Sequence, residues 1–171
     1  MRYWLLSFLL SLAFSTVFSQ NPAFRTQIPG KRVLVEQITG TSAVFGPDGQ
    51  YVFDTVLAKW PQVIPVSLHF GDNMSFPDGS ATFSGMGGTF IPGFWIDRKP
   101  FPASGLEVVR GDLNAFTAQR IADTVPGEIK IIQYAYDTTT RAISATAKIR
   151  FTDYAIADFR VNLYIVEDSV Q

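Results

Sequence analysis

Hydrophobic and polar positions divide the chain into segments of distinct period. Residues 32–39 (RVLVEQIT) are apolar on both phases at their start, which predicts a strand covered on both faces. In residues 47–60, Val52, Phe53, Val56, Leu57 and Trp60 recur at helical spacing, with Pro47 in the first turn and Pro61 as the stop. Residues 63–70 (VIPVSLHF) read as a second strand. Its Pro65 cannot donate to a ladder and so predicts an edge position or a bulge. Residues 71–90 are the least regular; Asp78 is expected to cap a weak helix through Met86 that several glycines undermine. Residues 93–99 and 106–110 are expected to form a hairpin. Asp112 is expected to cap a helix to about Asp123, with Leu113, Phe116 and Ile121 on its inner face.

The period changes after Pro126-Gly127. Residues 128–136, 141–151 and 159–166 read as three strands with short connectors. Ile143, Ala145, Ala147, Ile149 and Phe151 alternate with polar residues, and the first strand changes phase at Ile131-Ile132, as a bulge would. The pattern predicts an antiparallel meander with one wet face and one buried face. Strand, helix, strand, weak helix, hairpin and helix, in that order, are the thioredoxin topology. The predicted class is therefore α/β, a thioredoxin-like core followed by a three-stranded meander, or partial β-sandwich.

The first residues are a different unit. Arg2 precedes an apolar run over residues 4–17, and Asn21-Pro22 opens a polar stretch. This is a secretory signal pattern, too short for a comfortable span, with cleavage expected after Ser19 or, as the alternative, after Gln20. The expected organisation is a signal peptide at 1–19, an extended arm at 20–30, a thioredoxin-like domain at 31–125 and the meander at 126–171. About 150 residues remain after cleavage, enough for one ordinary domain. Hydrophobic residues make up 47% of the chain, and Phe alone numbers 15, so a core can be built without disulfides. The formal net charge is −1 and no Lys/Arg run occurs, which argues against nucleic acid as a partner.

Chemistry is expected at the turn over residues 39–49 (TGTSAVFGPDG), between the first strand and the first helix. Thioredoxin-like folds place two cysteines, two residues apart, at such a helix start, where unpaired N–H groups lower the thiol pKa. Ala43 and Gly46 stand there instead, and the chain has no cysteine. Thiol–disulfide and thiol-peroxidase chemistry are excluded for want of a thiol. His69 is the lone histidine, without a second His or a Cys to complete a zinc site. Asp72, Asn73 and Asp78 do not have the spacing of a calcium loop. No G-x-S-x-G elbow occurs. Arg110-Gly111-Asp112 reads as a strand end and helix cap. No metal and no cofactor are expected.

Several segments resemble the outer-membrane-protein-28-related family of secreted bacterial proteins. They are VLVEQITGT at 33–41, PDG at 47–49, VIPVSLHFGDNM at 63–74, IPGFWIDR at 91–98 and NLYIVED at 162–168. The resemblance implies a thioredoxin-like core, commonly with Cys-x-x-Cys before the Pro, and often a longer β-sandwich beyond the last of these segments. It also implies a cis Ile91–Pro92 bond packed against the redox turn. Ala43, Val44, Phe45, Gly46, Ile91, Pro92 and Trp95 would then line an apolar peptide groove. The expected function is a secreted, redox-inactive binding or structural module, periplasmic or outer-membrane-associated. A protein partner or a further copy would pair through the C-terminal strands. The alternative is an enzyme using a non-cysteine site near the Asp72/Asp78 loop.

Overall fold

The computed structural model describes residues 30–151 and 160–167. The expected signal peptide and most of the extended arm lie outside the described residues. Among the described residues the architecture is mixed α/β, with two small sheets and three helices. The first sheet contains β1 (Val33–Thr39), β2 (Val63–His69) and β3 (Gly93–Ile96) in the order β2-β1-β3. β1 runs parallel to β2 and antiparallel to β3. A parallel pair needs a crossover, supplied by α1 (Gly46–Lys59). Pro65 is tolerated because β2 is an edge strand, as its missing N–H requires.

Central β1 is buried on both faces, and each face has its own core. Val33 and Val35 meet Phe53 and Val56 of α1, Phe94 and Ile96 of β3, and Leu113 of α3 (Leu113–Ala122). On the opposite face Ile38, Val66, Leu68 and Trp95 pack with Phe83 of α2 (Pro77–Gly85). α2 covers only part of that second face. Near the other end the fully buried Glu36 carboxylate is held by Arg98 through two hydrogen bonds of 2.8 and 2.6 Å. The Tyr164 hydroxyl, from the 160–167 segment, donates to the same carboxylate at 3.1 Å.

Three expectations about these elements are corrected. Neither Asp78 nor Asp112 makes a capping hydrogen bond. α2 begins at Pro77 and places Asp78 in its first turn, while Asp112 has helical dihedrals that turn its side chain away from the free N–H groups. β3 stops at Ile96 because Asp97 and Arg98 adopt positive φ (53° and 47°). There the Asp97 carboxylate accepts from the Leu34 N–H at 2.9 Å and pairs with Lys31 at 2.8 Å. The expected strand at 106–110 is reduced to one bridge, Phe94 with Val108. Pro100 and Pro102 remove ladder donors from the connection, and Gly105 turns it at positive φ. Arg120 braces this loop: its guanidinium donates to the Lys99 and Pro100 carbonyls, each at 3.0 Å, and lies over the Phe101 ring.

β4 (Gly127–Tyr136) and β5 (Ile143–Phe151) form an antiparallel ribbon with the expected irregularity between Ile131 and Gln133. Two other expectations fail here. Among the described residues, 160–167 form no strand, and Phe159 lies outside them. Among the described residues the face expected to be buried is open, since both strands are exposed almost throughout and no other helix or strand packs on them.

Candidate functional site

The turn between β1 and α1 is held from three directions. Internally, the Ala43 N–H donates to the Gly40 carbonyl at 2.9 Å and the Gly46 N–H to the Ala43 carbonyl at 2.8 Å. From the loop after β2, the Asp72 carboxylate accepts from the Thr41 N–H at 2.7 Å. From the loop before α3, Arg110 pairs with Asp48 in the first turn of α1 and stacks its guanidinium over the Phe45 ring at 4.7 Å. Asp48 is also well placed electrostatically, because a carboxylate near a helix N-terminus meets the positive end of the dipole.

Asp72 is the hub of the second tie. Its other oxygen accepts from the Met74 N–H at 2.9 Å and the Ser75 hydroxyl at 3.2 Å. His69 Nδ1 sits 2.7 Å from the oxygen that also serves Thr41. The His69 hydrogen bond is the main cause that holds the Asp72 carboxyl well below the usual carboxylate range, and the Thr41 and Met74 N–H groups add to it against a desolvation cost. Asp78, in the first turn of α2, makes no hydrogen bond or ion pair among the described residues. The structure instead pairs Asp72 with His69.

Across the turn, the Ile91–Pro92 bond is cis. Pro92 is buried against Gly49 of α1 so closely that a Cβ at Gly49 would lie 2.6 Å from its Cγ. Ile91 packs over Gly40, where a Cβ would meet its Cδ1 at 3.4 Å. The preceding residues are pinned by Glu107, which accepts from the Thr89 hydroxyl at 2.6 Å and the Thr89 N–H at 2.9 Å. Among the described residues, the main chain of Ile91 makes no hydrogen bond.

The expected groove residues therefore divide. Val44 is 86% exposed and Phe45 54%. Ala43 and Gly46 are half-buried in the turn, Ile91 is half-buried over Gly40 and against the second core, and Pro92 is buried on Gly49. Trp95 does not belong to this set: it is fully buried in the other core against Phe83, because it points from β3 toward α2 rather than α1. Asp72 and Arg110 were not expected at the turn, nor Glu107 at Thr89 and Phe90 before Ile91. Each contact spans at least 17 residues of sequence, a distance that no local pattern signals.

A cleft of about 990 Å³ opens beside β2, lined in part by Val66, Leu68, His69, Met74 and Tyr164. Among the described residues no three His, Cys, Asp or Glu side chains cluster in a way that would hold a metal, and no helix is long and apolar enough to cross a membrane.

The chain is similar in fold to HBP35 of Porphyromonas gingivalis. The match has a TM-score of 0.51 at 16% identity and covers 60% of this chain and 37% of that one. The chain thus spans little more than a third of the solved structure it matches. No protein-family model and no curated protein matches it.

Proposed function

We propose that this chain is a secreted, redox-inactive, thioredoxin-like binding module that takes an extended peptide at the turn between β1 and α1. The observation that carries the reading is the main chain of Ile91, unpaired among the described residues, next to Pro92, which packs on Gly49 of the helix that follows the exposed Val44 and Phe45. A free N–H and C=O give an extended peptide its main-chain bonds, and neighbouring apolar side chains give it specificity. The order β2-β1-β3, with α1 as the crossover, supports the thioredoxin-like reading, as does a distant thioredoxin-like neighbour. With Ala43 and Gly46 at the turn and no cysteine in the chain, the site binds without exchanging disulfides. The signal pattern over residues 1–19 and the resemblance to secreted bacterial proteins support a periplasmic or outer-membrane setting within a larger assembly.

The test is a peptide array probed with the purified protein, followed by amide chemical-shift mapping of the best binders. Shifts at Ile91 and residues 43–46 that vanish in Val44→Glu and Phe45→Glu are expected. Binding that ignores both substitutions, or turnover in an insulin-reduction assay, would sink the proposal.

A second reading, an enzyme using a non-cysteine site, draws on the His69–Asp72 contact at the edge of the cleft. A carboxylate that fixes one ring nitrogen leaves the other available as a base. Its test is a screen of ester and amide substrates against the native protein and His69→Gln. Activity lost in the variant supports it, and no turnover by the native protein ends it.

A further inference from the structure

The β4-β5 ribbon has two unlike faces. On one, Glu128 stands opposite Arg150 and pairs with it at 2.6 Å, while Lys130 faces Lys148 and Gln133 faces Thr146. The other face carries no charged residue. Its β4 edge is a ridge of Ile129, Ile131, Tyr134 and Tyr136. Its β5 edge is a trough, because Ala145 and Ala147 stand opposite Tyr134 and Ile131, between Ile143 and Ile149 at the ends. Exposure of these Ile and Tyr side chains runs from 42% at Ile149 to 82% at Tyr134. Among the described residues, only the 160–162 segment approaches it, and that segment borders one end beside Ile129 and Ile149.

We propose that this face docks on the same face of a second copy of the chain. Three features of the ribbon select a copy over an unrelated partner. First, the relief is self-complementary. A twofold axis parallel to the strands, between two facing ribbons, lays the β4 ridge of each over the β5 trough of the other. Tyr134 and Ile131 then fill the space above Ala145 and Ala147, and the relation is reciprocal, as an isologous interface requires. Facing sheets pack about 10 Å apart with strands within about 30° of each other, which this axis allows. Second, a face without charges meets its own copy without burying like charges together. Third, the two tyrosines and four isoleucines at these exposures present on the order of 500 Å², taking ~200 Å² for a whole tyrosine and ~100 Å² for a whole isoleucine side chain, which is more than half of the ~800 Å² that each partner gives to a stable interface. The pairing also supplies the covering layer that an isolated ribbon lacks. It concerns a different surface from the Ile91 groove and stands whether or not that groove binds anything.

Sedimentation velocity on the full chain reads the result directly. The native chain is expected to be a dimer. Tyr134→Glu is expected to weaken association at least ~100-fold, since it buries an unpaired carboxylate in the trough. Ala145→Lys mixed with Tyr134→Glu is expected to restore a dimer, because the ammonium then lies under the carboxylate. Thr146→Glu, on the polar face, is expected to leave the dimer intact, and circular dichroism should show that all variants keep their fold. A native chain that stays monomeric at ~100 µM overturns the proposal, a concentration at which even a micromolar dimer is nearly complete. A dimer indifferent to Tyr134→Glu, or one lost equally with Thr146→Glu, overturns it as well.

Discussion

Gly49→Ala separates helix propensity from packing at the turn between β1 and α1. Gly49 is inside α1, where replacing glycine by alanine ordinarily stabilises by about 1 kcal/mol. Here the added Cβ would sit 2.6 Å from Pro92 Cγ and 2.8 Å from Pro92 Cβ. Neither side yields cheaply. The proline ring is rigid and buried, and Phe53 and Val56 fix α1 on the core one and two turns further along. Overpacking of this kind costs about 1–3 kcal/mol. The clash exceeds the propensity gain, and the net expectation is a loss of about 1 kcal/mol, or roughly 3–6 °C in Tm for a domain of this size. Gly85 is the control. It ends α2, and a Cβ there meets nothing within 4 Å, so Gly85→Ala keeps the propensity gain. Urea denaturation followed by far-UV circular dichroism is the assay, with an unchanged m-value confirming that stability alone has moved. If Gly49→Ala proves as stable as the native chain or more so, the Pro92–Gly49 contact is not the tight packing described above.

Two further predictions concern the polar ties. Asp72→Asn removes the charged acceptor shared by Thr41, His69 and Met74, and is expected to cost about 1–3 kcal/mol at neutral pH. Because the folded-state pKa of Asp72 is depressed, its contribution is fully present above the unfolded value of about 3.9 and is lost as pH falls through the folded one. A pH series of urea midpoints should therefore show native and Asp72→Asn stabilities converging in acid, and parallel curves would refute the assignment. Arg98→Met leaves the buried Glu36 carboxylate with only the Tyr164 hydroxyl and is expected to cost about 3–5 kcal/mol, whereas Tyr164→Phe should cost only about 1 kcal/mol. Equal effects of the two in urea melts would show that the tail, not the ion pair, secures Glu36.

Most elements from β1 to α3 were legible because their apolar periods are long and their breakers unambiguous. Pro47 and Pro61 bracket α1, and Pro65 correctly marked β2 as an edge. What failed was decided by tertiary partners. The 106–110 segment alternates like a strand, yet Glu107 leaves the ladder to hold Thr89 and Arg110 leaves it to reach Asp48. Asp78 and Asp112 carry a cap's chemistry, but their own dihedrals and register leave the free N–H groups out of reach. Trp95 adjoins the Pro92 segment in sequence, while the period of two in β3 sends it to the far side of the sheet. The alternation in β5 was read correctly, but alternation reports only which face is apolar. It does not report what covers that face, and here nothing among the described residues does.

The backbone of the turn between β1 and α1 is held without help from a thiol pair. A Cys-x-x-Cys pair contributes sulfur chemistry, but the conformation depends on what holds the backbone. Here that work is spread over an Asp72 carboxylate accepting the Thr41 N–H, an Arg110 guanidinium laid on Phe45 and paired with Asp48, and Pro92 packed on Gly49. Each of the three comes from a different loop, and none involves the side chains of Ala43 or Gly46. Substituting those two positions by cysteine would therefore be expected to leave the geometry of the turn in place, since a Cβ at Gly46 meets Ala43 Cβ at an ordinary 3.5 Å. Disulfide geometry asks for a Cβ–Cβ separation of about 3.5–4.5 Å, so the double variant Ala43→Cys/Gly46→Cys should close a disulfide without moving the backbone. Thiol titration under oxidising and reducing conditions, with amide shifts of Thr41 and Ile91 as the conformational readout, checks both halves of the claim. A disulfide that forms only with large shifts at both residues would mean that the turn is held by its present side chains rather than by the ties around it.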